Sequence, residues 1–153
     1  MSPAGKDNKG FSLLELLVVL LLLSLASYIV LPSIGKGLRE REVRQSALAL
    51  AAVARDLRTR AIYENSIQRL IFDPQENSYQ ASRGGKIPFS SDIKIIALEG
   101  GEPIGEGPRQ FLFFPNGSLL GGEVGISGGE ESPVYYVRFD PLTGKVVVTK
   151  GSS

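Results

Sequence analysis

The sequence contains no histidine, no cysteine and no tryptophan. Without histidine and cysteine the chain lacks the usual general base, the thiolate nucleophile, the ligands of a structural zinc site and the means of forming a disulfide. A Gly-x-Ser-x-Gly nucleophile elbow and a close pair of carboxylates in a recognisable frame are also missing. We therefore predict no enzymatic activity, no catalytic residue, no cofactor and no bound metal.

Excess charge of either sign is missing too, because 17 Lys and Arg residues stand against 16 Asp and Glu residues and leave a net charge of +1. No global field would collect nucleic acid, so any basic patch must be local. A length of 153 residues fits one domain, or one small domain with an appendage. The two halves of the chain nevertheless differ in composition. One long apolar run lies near the amino end, and most of the 18 glycines lie in the second half.

The apolar run covers residues 11–31 and contains a single charged residue, Glu15. As a helix it would be about 31 Å long, close to the roughly 30 Å hydrocarbon core of a bilayer. A soluble core helix would keep a polar stripe, and Leu16–Leu23 has none. The run predicts a transmembrane helix over residues 11–32.

Two conventional interpretations of this run are open. In the first, a cleaved signal peptide has a basic start at Lys6 and Lys9 and a cleavage site after Ser24-Leu25-Ala26, so that the mature chain begins at Ser27. In the second, the run is an ordinary single-span anchor. Both leave Glu15 without a partner, although a carboxylate in an apolar membrane segment is unfavourable and usually has one.

A third interpretation supplies that partner. The segment from Lys9 to Pro32 resembles the processing site of type IV pilin-like precursors, in which a short polar leader ends in glycine and an aromatic residue begins the mature chain. The resemblance implies a leader over residues 1–10, cleavage between Gly10 and Phe11 on the cytoplasmic side, and N-methylation of Phe11. In a filament, Glu15 of one subunit would pair with the Phe11 ammonium of its neighbour, so that each neutralises a charge that hydrocarbon penalises.

The flanking charges do not favour this orientation. The leader offers Lys6 and Lys9, whereas Lys36, Arg39, Arg41 and Arg44 follow the apolar run on the predicted periplasmic side. Counting positive residues therefore does not place the amino end in the cytoplasm. We follow the motif, because Glu40 and Glu42 lie among the basic residues. For the same reason we favour solvated or inter-subunit ion pairs there over binding of anionic lipid or nucleic acid.

Residues 33–65 predict an amphipathic continuation of the helix, since apolar residues recur at alternating spacings of four and three. The stripe consists of Val43, Ala47, Leu50, Ala54, Leu57 and Ala61, and Leu48 and Val53 widen it. Between the two helical parts, Pro32 removes a backbone hydrogen bond, and Gly35 and Gly37 weaken the next turn. We predict one long helix, from about Phe11 to about Tyr63, that is kinked or locally interrupted at these three residues.

After Asn65 the apolar period changes to two, which predicts an antiparallel β-sheet domain over residues 66–153. The candidate strands are Ile67–Phe72, Ser78–Ser82, Ile93–Leu98, Gln110–Phe114, Leu119–Ile126, Val134–Phe139 and Lys145–Thr149. Seven strands suggest two packed sheets. Residues 73–77 and 140–144 are predicted to form hairpin turns. In the last hairpin we expect Tyr135, Val137 and Phe139 to face inward and to pack on the helix stripe.

The globular half carries a second resemblance. Residues 113–118, which read Phe-Phe-Pro-Asn-Gly-Ser, the pair Gly121-Gly122 and the run 139–148 are similar to the globular domain of the GspH/FimT family, the H-type minor pseudopilins of type II secretion and related minor pilins. The resemblance implies an α+β, type IV pilin-like fold, in which a long amino-terminal helix packs on a carboxyl-terminal antiparallel β-sandwich. It also implies a subunit that helps to initiate or cap a periplasmic pseudopilus.

The same resemblance sets the expected location and partners. We expect a single-pass protein of the bacterial inner membrane with a periplasmic carboxyl-terminal domain, which joins the pseudopilus on assembly. Its expected partners are major and minor pseudopilins, the prepilin peptidase and methyltransferase, and the inner-membrane assembly platform. Nucleic acid is not expected, because the tail after residue 144 offers only Lys145 and Lys150. DNA binding would fit only a minor pilin.

Two other functions stay open at this point. The chain could be a minor pilin of a type IV pilus, or an anchored periplasmic β-domain that binds or hydrolyses an unknown ligand. The segments Glu99–Pro108 and Gly128–Pro133 are rich in Gly, Pro and Glu and are expected to be exposed, mobile loops. They would either contact a partner or merely connect strands.

Overall fold

The computed structural model describes residues 11–130 and 132–151, and for residues 29–36 it describes only the backbone. The predicted leader, including Gly10, lies outside the described residues. The chain divides into two compact units, one ending at Gly35 and the other beginning at Lys36. The strands and the core belong to the second unit.

A single helix, α1, runs from Leu13 to Tyr63. It begins after Ser12, whose Oγ accepts a hydrogen bond from the N–H of Leu14 over 3.3 Å. Ser12 is thus the N-cap, and helix formation begins two residues later than we predicted. Glu15 in the first turn and Arg60 in the last turn each complement the helix dipole.

The backbone of α1 is helical through Pro32, Gly35 and Gly37. A proline removes one hydrogen bond from a helix, which a helix of this length can accommodate. A bend of the axis at these residues stays a prediction.

In the first unit the side chains of residues 13–28 are exposed. Among the described residues, no helix combines the length and the low polarity that a bilayer crossing requires. The predicted membrane segment, residues 11–32, includes positions whose side chains are not described. It remains a prediction.

Nine strands follow α1 in the described part of the chain, where the sequence predicted seven. They are β1 (Gln68–Asp73), β2 (Ser78–Ala81), β3 (Lys86–Pro88), β4 (Lys94–Gly100), β5 (Glu102–Pro103), β6 (Arg109–Phe113), β7 (Gly122–Ser127), β8 (Tyr135–Phe139) and β9 (Val146–Lys150). All pairings are antiparallel and form two sheets, in the orders β3-β2-β1-β6-β5 and β4-β7-β8-β9. The predicted α+β architecture is confirmed.

The two additional strands, β3 and β5, are short and lie at the two opposite edges of the first sheet. Strand β5 falls inside the segment Glu99–Pro108, which we predicted as a loop, and pairs with β6. The predicted strand Leu119–Ile126 was too long, because Leu119 forms only an isolated bridge with Phe113 and β7 begins at Gly122. Two- and three-residue strands have too few residues for an alternating pattern to be visible in a sequence.

Both hairpin predictions are confirmed. Asp73 Oδ1 accepts hydrogen bonds from the backbone N–H groups of Gln75 and Glu76, and Asn77 adopts a φ of 47°. In the second hairpin, Asp140 Oδ1 accepts the N–H of Leu142, and Gly144 has a φ of 66°. Each turn therefore combines an aspartate that ties the backbone with a residue that tolerates positive φ.

The core joins α1 to the inner faces of both sheets. All six residues of the predicted stripe are buried, with Ala47, Ala54 and Ala61 at 0% exposure. Between the sheets, the rings of Phe111 and Phe139 lie with their centroids 4.7 Å apart. The predicted inward face of the last hairpin is confirmed, since Tyr135, Val137 and Phe139 are buried. The prediction that Leu48 widens the buried stripe is wrong, because 43% of its surface is exposed.

Each edge strand carries a feature that opposes further strand pairing. Strand β3 ends in Pro88 and β5 contains Pro103, and proline has no N–H to offer. Strand β4 has an irregular register between Ile95 and Ala97. On β9, the carbonyl oxygen of Val146 accepts a hydrogen bond from Arg55 Nη2 over 2.8 Å. The free edges are therefore poor templates for another chain.

Candidate functional site

The amino-terminal motif lies at the start of α1. Phe11 precedes the helix and is 77% exposed, Ser12 caps it, and Glu15 is exposed in the first turn. Ser12 and Glu15 occupy the N-cap and N3 positions, the spacing of a capping box, which we did not recognise in the sequence. A carboxylate at N3 faces the positive end of the helix dipole. Gly10 lies outside the described residues, so the geometry of the predicted cleavage site is not part of the structure.

Of the three residues of the predicted kink, Gly37 is the one whose surroundings the structure describes. Gly37 is exposed, and a Cβ added there would meet nothing within 4 Å. The side chain of Pro32 belongs to the segment for which only the backbone is described.

In the globular domain, Arg58 explains part of the sequence resemblance. Its Nε donates a hydrogen bond over 2.8 Å to the carbonyl of Gly117, in the Phe-Pro-Asn-Gly turn. A Cβ at Gly144 would lie 2.6 Å from that same carbonyl oxygen and 2.7 Å from Arg58 Nη2. One helix arginine thus joins the two turns that carried the resemblance. A side chain on Gly144 would displace the guanidinium, and Gly117 has a φ of 83°, so each turn favours glycine for its own reason.

The pair Gly121-Gly122 is explained by a close backbone approach where the end of β4 lies beside the start of β7, here called the glycine crossing. A Cβ at Gly100 would lie 2.4 Å from the carbonyl oxygen of Gly121, and a Cβ at Gly122 would lie 2.4 Å from that of Glu99. Gly100 and Gly101 have φ angles of 72° and 66°, and there the chain leaves β4 in one sheet and enters β5 in the other. Only glycine allows this approach and this backbone conformation together.

An open groove of about 600 Å³ lies beside this crossing. Its charged lining residues are Glu99, Glu123, Arg138 and Asp140. Arg138 Nε donates to Glu123 over 2.7 Å, and Asp140 accepts hydrogen bonds within its own turn. Glu123, Arg138 and Asp140 therefore form hydrogen bonds that stabilise the local structure. Among the described residues, no three acidic side chains lie close enough together to hold a metal ion.

A polar cluster fastens the last strand to α1. Glu40 Oε1 accepts hydrogen bonds from Lys150 Nζ and from the Tyr135 hydroxyl, the latter over 3.2 Å. The hydrogen bond from Lys150 lowers the pKa of the Glu40 carboxyl most, and the bond from Tyr135 lowers it further. The same bond raises the pKa of the Lys150 ammonium. Sequence reasoning placed Glu40 among its neighbouring arginines and missed this long-range contact, because 110 residues separate Glu40 from Lys150.

Comparison with known proteins agrees with both motifs. Residues 5–30 match the family model of the prokaryotic N-terminal methylation motif. The type II secretion system protein H of Xanthomonas campestris pv. campestris is 30% identical over 125 residues, which cover 80% of this chain and 73% of that protein. The solved structure of the minor pseudopilin EpsH from the type 2 secretion system of Vibrio cholerae matches with a TM-score of 0.56, covering 72% of this chain and 97% of EpsH. At 12% identity, that match supports the fold alone.

A methylation motif, a long amino-terminal helix and two antiparallel sheets together define a pilin-like subunit of the prepilin class. The identity and coverage of the Xanthomonas relative narrow this class further. The chain belongs to the family of type II secretion system protein H, the H-type minor pseudopilins.

Proposed function

We propose that this protein is a structural subunit that helps to initiate or cap the pseudopilus of a type II secretion system. A dedicated peptidase would remove residues 1–10, Phe11 would be N-methylated, and residues 11–32 would anchor the chain in the inner membrane with residues 66–153 in the periplasm. The supporting observation is the presence in one chain of the methylation motif and of sequence related to protein H over 80% of its length.

Assembly would bring Glu15 of one subunit to the methylated amino terminus of another pseudopilin. Glu15 is the one charged residue of the apolar run at neutral pH, and its side chain is exposed on the described helix. In an apolar surrounding, a carboxylate and an ammonium are each unfavourable alone, and pairing removes both penalties. Peptidase, methyltransferase and assembly platform are the further partners that this maturation requires.

Processing is tested by amino-terminal sequencing and mass spectrometry of the protein extracted from membranes. We expect a chain that begins with N-methylated Phe11. A chain that begins at Ser27 would indicate a signal peptide, and a chain that retains residues 1–10 in a working secretion system would also contradict the proposal.

Assembly is tested with Glu15→Ala and with Glu42→Ala as the matched control, since Glu42 is exposed on the same helix beyond the apolar run. Glu15→Ala should insert into the membrane and fail to co-assemble with other pseudopilins, measured by crosslinking in membranes and by secretion. Unchanged assembly would favour an anchored periplasmic domain of another kind. If deletion of the gene removes a surface pilus and leaves secretion intact, the protein is a minor pilin.

A further inference from the structure

A pocket of about 230 Å³ lies on the outer face of the first sheet. Its floor is formed by side chains of β1, β2 and β3, and part of the segment Glu99–Pro108 covers it. The N–H of Ile104 donates a hydrogen bond over 2.8 Å to the carbonyl of Pro108, which closes this part of the segment into a loop. A Cβ at Gly107 would lie 3.1 Å from the side-chain nitrogen of Gln75, so the loop extends as far as the first hairpin turn.

The floor of the pocket contains a buried hydroxyl group. On β1, Phe72 is buried in the core, so Asp73, the next residue, lies on the opposite face of the sheet. Ser78 of β2 is the register partner of Asp73, and its side chain therefore lies on that same outer face. Ser78 is 1% exposed, and its Oγ has no hydrogen-bond partner among the described residues. A buried hydroxyl without a partner is unfavourable, so a hydrogen-bonding group that entered the pocket would be stabilised there.

The Asp73 carboxylate provides an acceptor beside this hydroxyl. Its Oδ1 accepts the backbone N–H groups of Gln75 and Glu76 in the turn. Its Oδ2 lies 4.0 Å from Lys86 Nζ, beyond hydrogen-bond distance, and Lys86 pairs more closely with Glu76. Residues directly opposite each other on antiparallel strands have Cβ atoms about 4.5–5.5 Å apart. The Ser78 hydroxyl and Asp73 Oδ2 can therefore both bind one hydroxyl group in the pocket, the first as donor and the second as acceptor.

The remaining walls of the pocket are apolar. Ile71 belongs to the floor, and Ile104 and Pro108 belong to the covering loop. Such walls hold water poorly, and an apolar group that displaces poorly ordered water gains affinity. The pocket is smaller than the roughly 300–1,000 Å³ of sites for drug-sized ligands, so it suits a single ring.

A pocket for one ring is typical of the sites that receive an anchoring side chain of a protein partner. The side chains that most often fill such pockets are Trp, Tyr and Arg. Tyr is the one of these three whose polar group can both donate and accept a hydrogen bond, as the pair formed by Ser78 and Asp73 requires. Its ring also matches the apolar walls.

We propose that this pocket binds a tyrosine side chain presented by a protein neighbour. The ring lies between Ile71 and the loop of residues 104–108, and the phenolic hydroxyl donates to Asp73 Oδ2 and accepts from Ser78 Oγ. The segment Glu99–Pro108 then contacts a partner, which is one of the two roles that the sequence left open. The inference goes beyond the proposed function and does not depend on it, because the floor and the loop both belong to the second unit.

The test uses the mature full-length chain in detergent micelles, with its isoleucine methyl groups labelled for NMR. The probes are N-acetyl-tyrosinamide and N-acetyl-phenylalaninamide, which differ by one hydroxyl. Both should shift the methyl signals of Ile71 and Ile104 and leave that of Ile96, on β4 of the other sheet, unchanged. The tyrosine probe should bind about ten-fold more tightly, because its hydroxyl forms hydrogen bonds and one of them is to a charged group.

Three variants separate the hydrogen bonds from the apolar contact. Ser78→Ala should bind both probes equally and melt at the same or a higher temperature, since an unpaired buried hydroxyl is replaced by an apolar group. The matched control is Ser82→Ala, because Ser82 Oγ bonds the backbone N–H and carbonyl of Arg69. It should melt at a lower temperature and keep the preference for tyrosine. Ile104→Ala should weaken both probes and keep their ratio, because Ile104 contributes apolar surface.

Four results would overturn the inference. The first is that neither probe shifts the Ile71 and Ile104 signals, which would mean that the pocket holds water alone. The second is equal binding of the two probes to the natural chain. The third is a melting temperature of Ser78→Ala lowered as much as that of Ser82→Ala, because Ser78 would then have a partner within the chain. The fourth is binding of free phenol without binding of the tyrosine probe, which would indicate a small molecule as the ligand.

Discussion

Arg58 of α1 donates a hydrogen bond to the carbonyl oxygen of Gly117, 59 residues along the chain, and lies against Gly144 in a second turn. The guanidinium is therefore a fastening point between the helix and two hairpin turns. Its stem is half-buried, so the bond is partly shielded from water. This arrangement makes the helix a structural part of the globular domain, in addition to its place in the predicted anchor.

Replacing this arginine should destabilise the domain. Arg58→Leu keeps much of the stem but leaves the Gly117 carbonyl without its donor, and we expect a loss of about 1.5–3 kcal/mol in unfolding free energy. Thermal and urea unfolding of the detergent-solubilised mature chain, followed by circular dichroism, measures it. Arg60→Leu is the control, because Arg60 pairs only with exposed Asp56 at i,i+4 and should cost about 0.3–0.5 kcal/mol. Equal losses in both variants would show that the Gly117 contact has no special weight.

The glycine crossing gives a second prediction, with a control of nearly the same φ. Gly100 and Gly105 have φ angles of 72° and 65°, but a Cβ at Gly100 would lie 2.4 Å from the Gly121 oxygen, whereas at Gly105 it would meet nothing within 4 Å. Gly105→Ala should cost about 1–2 kcal/mol, the penalty of the left-handed conformation. Gly100→Ala adds a backbone clash and should cost at least about 3 kcal/mol, or prevent folding. Similar unfolding midpoints for the two variants would refute the close crossing.

The small residues of the helix stripe give a third prediction. Ala54 is 0% exposed in the core, and Ala52, two residues earlier, is exposed. Ala54→Leu should push α1 away from the sheets and cost about 1–3 kcal/mol, because the site has no room for three more carbons. Ala52→Leu should change the unfolding free energy by less than about 0.5 kcal/mol. If the two substitutions lower the unfolding free energy equally, Ala54 does not pack against the sheets as described.

The Glu40 cluster predicts a pH dependence. Because hydrogen bonds lower the pKa of Glu40 in the folded state, its contribution to stability is complete above the ordinary pKa of 4.5 and is lost as the pH falls through the lowered folded value. Because the pKa of Lys150 is raised in the folded state, the contribution of its bond to stability is complete below the ordinary pKa of 10.5 and is lost as the pH rises through the raised folded value. The difference in melting temperature between the natural chain and Glu40→Gln should therefore be constant near neutral pH and shrink in acid.

The control for this titration is Glu42→Gln, an exposed position on the same turn. Its melting temperature should follow that of the natural chain over the same acidic range. A difference between Glu40→Gln and the natural chain that stays constant down to about pH 2 would mean that the Lys150 and Tyr135 bonds do not form in solution.

Much of the fold could be predicted from the sequence, because its signals are local. The spacing of Val43, Ala47 and Leu50 identified the buried face of α1, and the alternation around Val137 identified the inward face of the last hairpin. Turn chemistry at Asp73 and Asp140 located two hairpins. These features depend on residues that are close along the chain. The spacing of apolar residues and the residue types in turns therefore predict them.

The contacts that organise the domain could not be predicted in the same way. The partners Arg58 and Gly117, Glu40 and Lys150, and Arg55 and Val146 are each separated by more than 50 residues. Their pairing depends on how the sheets sit on the helix, and no local pattern encodes that. Leu48 shows the converse error, since its spacing is compatible with the stripe but the sheets do not extend over it. The N-cap at Ser12, with Glu15 at the spacing of a capping box, was by contrast visible in the sequence and was overlooked.

The features at the sheet edges affect how copies of such a domain can associate. They are the Arg55 contact to Val146, the two prolines and the irregular register of β4. Subunits packed at high local density would be at risk of fusing edge to edge into a continuous, effectively irreversible cross-β aggregate. With the edges closed in this manner, neighbouring domains can touch without exchanging backbone hydrogen bonds. We expect an assembly of such domains to separate without any of them unfolding.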